Sequence, residues 1–178
     1  MRKLVAYELL SLDGVAEEPL DFITEFDDVM SENLGRVIAT QDAVLLGRRT
    51  FDDWAQFWPK SDIQPFASFI NSVAKFVATT TPPEHQWANS SVVTGGLVEF
   101  VTDLKRQPGK DIGVHGSIEL AQSLLKADLV DELRLVIAPA VQITGRRLFE
   151  ATPATRLTLT RTITSPTGYL LLDYQVRR

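Results

Sequence analysis

Cysteine is absent from the 178-residue chain. That removes disulfides, thiolate metal sites and a cysteine nucleophile. Histidine is scarce: His85 and His115 are the only two, too few for a multi-histidine centre, and no metal is expected. Positive charge is in deficit. Eighteen Lys and Arg face 23 Asp and Glu, for a net charge of −5, which argues against a general nucleic-acid surface. An anion site therefore has to be local, built by the fold against the overall charge. Long apolar runs are missing as well, and none approaches the roughly 18–20 residues of a membrane span. The opening MRKLVAYELL turns polar at Ser11 and Asp13, too early for a signal peptide with a cleavage site. The expectation is a cytoplasmic protein with no membrane partner.

What is present is an ordinary globular composition, 44% hydrophobic and 23% charged. A chain of this length is most simply one domain, residues 1–178, able to bury about 70% of its unfolded surface without staples. LVAYELL (4–10) reads as a buried strand that ends in the turn Ser11-Leu12-Asp13-Gly14. Over 21–38, Phe22, Phe26, Val29, Met30, Leu34 and Val37 recur at three- and four-residue steps. That spacing predicts an amphipathic helix with Asp21 as N-cap. AVLLG (43–47) is a second buried strand, and 50–57 a short helix ended by Pro59. A weak helix over 66–72 precedes the β-branched strand KFVATTT (75–81), which Pro82-Pro83 ends. SVVTG (91–95) is a short strand. Leu97, Phe100, Val101 and Leu104 then share a helical face that Pro108-Gly109 stops. DIGVHG (111–116) is a strand, 117–127 a helix and ELRLVIAPAV (132–141) a long strand. The tail RLTLTRTIT–SPTG–YLLLDYQVRR alternates around a turn, as an antiparallel hairpin does.

Strands alternating with helices imply an α/β fold, a three-layer α/β/α arrangement on a mostly parallel sheet closed by the antiparallel hairpin. Ligands of such sheets sit beyond the carboxyl ends of the strands, and four of those ends carry candidate chemistry. At Gly47-Arg48-Arg49-Thr50, a glycine allows close approach and forked donors suit phosphate; a capped helix with two solvated arginines explains the same residues. Thr79 and Thr80 follow an apolar strand and offer hydroxyls to a nucleotide, or simply make the turn before the prolines. His115-Gly116-Ser117-Ile118 stands at a strand-to-helix turn where free amides can face a pyrophosphate, with His115 as readily a packed core residue. Asp13 either hydrogen-bonds a substrate or serves its turn. Trp54 and Trp58, four apart, either line a substrate pocket or cover the sheet.

In their order and spacing, several stretches resemble the dihydrofolate reductase fold. They are SLDGV, AVLLGRRTFDDW with FWP, KFVATTT, DIGVHGSIELAQSLLKADLVDELRL, and AP followed by GRRLF. More closely they resemble its branch that includes the C-terminal reductase domain of the bifunctional riboflavin-biosynthesis deaminase–reductase. The resemblance implies NADPH. Gly47, Arg48, Arg49 and Thr50 would then hold its phosphates, and Thr79 and Thr80 would stand near the adenosine 2′-phosphate. His115, Gly116, Ser117 and Ile118 would form the pyrophosphate turn. The backbone at Val5 and Ala6 would face the nicotinamide. Ser117 stands where relatives often have a second glycine, and Ile143 lies near another glycine position. Ser31 lies close to the register of the folate enzymes' acidic residue, so the resemblance does not make this a folate enzyme. The zinc deaminase half cannot exist without cysteine.

The resemblance implies an NADPH-dependent reductase that passes hydride to a small heterocycle, pyrimidine-, pterin- or flavin-precursor-like. The 5-amino-6-(5-phosphoribosylamino)uracil reductases are the nearest kind. Asp13 or an ordered water is the expected proton source, and relatives imply a homodimer. The alternatives are a non-catalytic nucleotide- or ligand-binding module of the same fold, and a reductase fold that binds a flavin or pterin instead of NADPH.

Overall fold

The structure is a computed structural model and describes residues 1–150 and 152–177. Eight strands form one sheet: β1 (Leu4–Leu10), β2 (Gln41–Gly47), β3 (Ala74–Ala78), β4 (Ser90–Val92), β5 (Asp111–His115), β6 (Glu132–Ile137), β7 (Arg156–Thr164) and β8 (Leu170–Arg177). Their order across the sheet is β4-β3-β2-β5-β1-β6-β8-β7. All pairs from β4 to β6 are parallel, and β8 and β7 add the antiparallel hairpin. Arg178, the last residue of the expected hairpin, lies outside the described residues.

Five helices cover the two faces: α1 (Asp28–Ala39), α2 (Arg48–Phe57), α3 (Phe66–Ser72), α4 (Leu97–Arg106) and α5 (Ile118–Lys126). Alternation along each strand decides which face a side chain joins. Leu4, Ala6 and Leu10 of β1 pack with Ile112, Val114, Leu133 and Leu135 under Val101 and Leu104 of α4 and Ala121 and Leu124 of α5. On the other face, Tyr7 and Val136 meet Met30 and Val37 of α1, while Val44, Leu46 and Val77 meet Phe51, Phe66 and Ile70 of α2 and α3. The three-layer α/β/α expectation stands. Among the described residues, no helix is long and apolar enough to cross a membrane.

Several boundaries differ from the sequence reading. The helix expected over 21–38 begins at Asp28, because Asp27 is the cap: its carboxylate accepts from the Met30 amide at 2.9 Å. Asp21 instead closes a 3-10 turn, Pro19–Asp21. Phe22 is buried by tertiary packing from a non-helical segment, so its spacing to Phe26 imitated helical periodicity. Helix α2 starts at Arg48, two residues before Thr50, and Pro59 sits inside a further 3-10 turn, Trp58–Lys60. A missing N–H costs nothing at that first-turn position. Strand β3 stops at Ala78, where the Thr79 hydroxyl takes the Thr81 amide and starts a turn. Strand β6 stops at Ile137, just before Pro139, which has no N–H for a ladder.

One row of side chains runs across five strands on the α1 face. His115, Tyr7, Arg134, Asp173 and Arg161 are register neighbours in β5, β1, β6, β8 and β7. Helix α1 closes over the row: Arg36 donates to Asp173 at 2.8 Å and to Asn33 at 3.0 Å, and Arg161 donates to Asn33 at 2.8 Å. Glu132 receives Arg134 and Lys3 beside it.

Candidate functional site

The carboxyl ends of β2, β3 and β5 open into a cleft of about 830 Å³ lined by Gly47, Arg49, Thr80, Gly116, Ile118 and Arg146, among others. The turn from β5 to α5 needs a left-handed residue, and Gly116 supplies it with φ +64°. A Cβ there would come within 3.4 Å of the Trp54 ring. Behind it the Ser117 hydroxyl accepts from the Gly47 amide and donates to the Thr50 hydroxyl, both at 2.9 Å. Ser117 thus ties the starts of α2 and α5 together. Its side chain makes no cap bond, which leaves first-turn amides of α5 for a ligand.

The two adjacent arginines have different tasks. Arg48 is committed: it donates to Thr81 at 2.6 Å, Glu84 at 2.8 Å and Asp52 at 3.3 Å. Asp52 also takes the Glu84 and His85 amides, so it fixes the 81–85 loop. Burial alone would raise the Asp52 pKa; the His85 and Glu84 amides and Arg48 outweigh it and hold the carboxyl below its ordinary value. Arg49 is exposed, lines the cleft and lies in the field of Glu17. Arg146 lines the cleft as well. It donates to Glu17 at 2.7 Å and to Glu119 at 2.8 Å. The sequence reading missed Arg146, yet a signal existed: the tripeptide Gly-Arg-Arg at 47–49 recurs at 145–147.

Other expected residues are placed differently. Val5 and Ala6 are fully buried and paired on both sides, with β5 and β6, so their backbone is closed to a ligand. The sheet opens one step later. Pairing of β1 with β5 ends at Tyr7↔His115, while β1 runs on beside β6 to Leu10. His115 points away from the cleft. Its Nε2 lies 2.8 Å from Gln41 Oε1, and its ring packs against Tyr7, Phe66 and Phe69. Burial lowers its pKa to about 3, so it is neutral. Trp54 backs Gly116 and contacts Trp58 and Phe66 edge-on, whereas Trp58 packs on Phe66 and Phe57. Of the two, Trp54 alone is placed against the cleft turn. Thr79 spends its hydroxyl on Thr81, and Thr80 is exposed at the rim.

Asp13 is not poised to give a proton. The Gln142 amide, foremost, and the Ser11 hydroxyl and Ile143 amide hold its carboxyl well below the ordinary range, as a carboxylate. Two other acids of β1 are protonated instead. Glu8 is 2% exposed with Oε1 unpartnered among the described residues, and burial raises its pKa to about 8. Among the described residues Tyr7 has no partner for its hydroxyl, and burial keeps the phenol protonated. Among the described residues no three His, Asp or Glu side chains group as metal ligands.

Residues 2–171 match the RibD C-terminal domain. The chain is 31% identical to the uncharacterised protein YyaP of Bacillus subtilis (strain 168) over 139 residues, 75% of this chain and 73% of that one. Its fold is similar to that of a Shewanella sp. PV-4 protein named for riboflavin biosynthesis, with TM-score 0.81, 20% identity and 99% of each chain covered. It is also similar to the diaminohydroxyphosphoribosylaminopyrimidine deaminase/5-amino-6-(5-phosphoribosylamino)uracil reductase of Thermotoga maritima. There the TM-score is 0.69 and the identity 12%, over 99% of this chain and 57% of that one.

Proposed function

The chain belongs to the RibD C-terminal domain family, a reductase-type family, and on that premise we propose that it is an NADPH-dependent reductase of a small heterocyclic substrate. The observation that carries the cofactor half is the cleft itself. It joins a left-handed glycine, a helix start with open amides, the exposed fork of Arg49 and two salt-bridged arginines. These groups suit a chain of phosphates. Gly116, Ser117 and Ile118 would hold the pyrophosphate. Arg48 stands beside the threonine turn at 79–81, so an adenosine 2′-phosphate would replace Glu84 as its partner. That exchange favours NADPH over NADH.

When bound, the nicotinamide supplies the hydride. The chain supplies orientation and a dry wall. Where β1 and β5 part, the side chains on the α3 side are Tyr7 and His115, with ring centroids 5.7 Å apart. The Tyr7 hydroxyl is buried and holds its proton, and His115 is neutral, so that wall carries no charge. Two observations favour the non-catalytic reading: Phe66 and Phe69 cover the His115 ring, and the Asp13 carboxylate is already spent on the Gln142 and Ile143 amides.

A paired titration of NADPH and NADH against wild type, Arg48→Ala and Arg49→Ala tests the proposal. Arg48→Ala should lose the preference for NADPH by about tenfold, the worth of one charge-assisted contact. Arg49→Ala should weaken both nucleotides alike. Wild type that binds neither nucleotide ends the reductase reading. Wild type that binds NADPH but turns over no pyrimidine, pterin or flavin precursor supports the binding module.

A further inference from the structure

The strain in the molecule points to what Asp13 does. Ile143 is β-branched and yet has φ +69°, a region that such residues rarely enter. Something has to hold it there. Both oxygens of the Asp13 carboxylate do so: Oδ1 accepts from the Gln142 amide at 3.0 Å and Oδ2 from the Ile143 amide at 2.9 Å. Consecutive amides gathered on one anion form a nest. Ser11 donates to the same carboxylate at 2.7 Å while accepting the Val15 amide at 3.0 Å. Arg147 closes the arrangement, donating to the Asp13 carbonyl at 3.1 Å and the Ile143 carbonyl at 3.2 Å. Val15 and Arg147 then pair as a bridge, and the Ala16 amide donates to the Arg146 carbonyl at 2.9 Å. Arg146 is thereby presented to the cleft.

We propose that Asp13 is a positioning residue, a clamp that holds the strained turn at Ile143 and so sets Arg146 on the cleft wall to receive a phosphate of the bound nucleotide. Glu17 and Glu119 hold the guanidinium until then. Glu119 is 78% exposed at its side chain, so it yields its place to an incoming phosphate at little cost. The Arg146 half rests on the nucleotide reading above; the clamp half does not.

Two measurements separate the halves: trypsin cleavage after Arg146 and Arg147, followed by mass on the full chain, and NADPH binding by titration across a salt series. Asp13→Asn should speed those two cleavages and weaken NADPH about tenfold, with a shallower salt dependence. Arg146→Ala should weaken NADPH equally, and adding Asp13→Asn to it should cost nothing more. Ile143→Gly removes the strain, so in the Asp13→Asn background it should restore both protection and affinity. Recovery of folded Asp13→Asn protein only when paired with Ile143→Gly also supports the clamp. Unchanged cleavage in Asp13→Asn overturns it. Losses in Asp13→Asn and Arg146→Ala that add together overturn the link between the two residues. Unchanged NADPH affinity in Asp13→Asn overturns its part in setting Arg146. Wild type that binds no NADPH removes the Arg146 role, while the cleavage rates still judge the clamp.

Discussion

Replacing Glu8 by glutamine should make the protein more stable above about pH 4.5, by an amount that grows until about pH 8. Glu8 lies on β1 between Ala6 and Leu10, register neighbour to Leu135, on the apolar face under α5. Its carboxyl is fully buried with one oxygen unpartnered. Burial raises its pKa from 4.5 to about 8. At about 1.4 kcal/mol per pH unit, the folded chain grips that proton about 5 kcal/mol more tightly than the unfolded chain does. The sign follows from who holds the proton. Below pH 4.5 both states are protonated and nothing is lost. Between 4.5 and about 8 the unfolded chain has released the proton and the folded chain has not, so stability falls as pH rises. Above about 8 the whole penalty is present, a large share of the 5–15 kcal/mol typical of a domain. Glutamine keeps the shape and cannot ionise. Urea unfolding at pH 6.5 and pH 9 measures the effect. The wild type should lose roughly 2 kcal/mol more than Glu8→Gln between them. Equal losses in the two proteins would refute the account of Glu8 as a buried neutral acid.

His115 works in the opposite direction. Its folded pKa of about 3 lies below the ordinary 6.5, so the unfolded chain alone binds a proton between those values and stability falls as pH drops below 6.5. The slopes of Glu8 and His115 cancel between pH 4.5 and 6.5, and wild-type stability should be flat there. His115→Asn should turn that plateau into a continuous fall of about 1.4 kcal/mol per unit from 4.5 to 8; a plateau that persists removes His115 from the balance. At the cleft, Gly116→Ala meets both a left-handed φ and the Trp54 ring at 3.4 Å. It should cost about 1–2 kcal/mol of stability and weaken NADPH more than it weakens folding, read by melting and by titration on one sample. A Gly116→Ala protein with wild-type affinity would show that the turn does not touch the nucleotide.

The architecture was legible because strand and helix periods are local properties, written in runs such as 43–47 and 97–104. The positions that misled depend on distant partners. Phe22 and Phe26 kept helical spacing, but the cap is Asp27, which also accepts from the Thr167 hydroxyl at 2.6 Å, 140 residues away. The backbone at Val5 and Ala6 was expected to face the nicotinamide, and both strands beside it close it off. Where β1 and β5 part is set by the register between two strands separated by 100 residues, which no local pattern records. Arg48 and Arg49 looked alike as neighbours in sequence, and the helix turned one inward to Asp52 and the other outward. Asp13 was visible as a polar residue in a turn. Its partners at 142 and 143 were not.

The row from His115 to Arg161 bears on how the chain avoids folding wrongly. Strands β1, β6 and β8 have apolar residues on both faces, so hydrophobicity alone scarcely distinguishes one alignment from its neighbour one residue away. The charges do distinguish them. A one-residue slip of β6 would carry Arg134 and Glu132 together off Asp173 and into the layer of Leu4, Leu10 and Leu124, where Glu8 is held neutral. Burying two charges among leucines is far costlier than misplacing a leucine. The polar side chains under α1 therefore act as a proofreading mark for strand alignment, and their contribution is read in how rarely the sheet assembles in the wrong register.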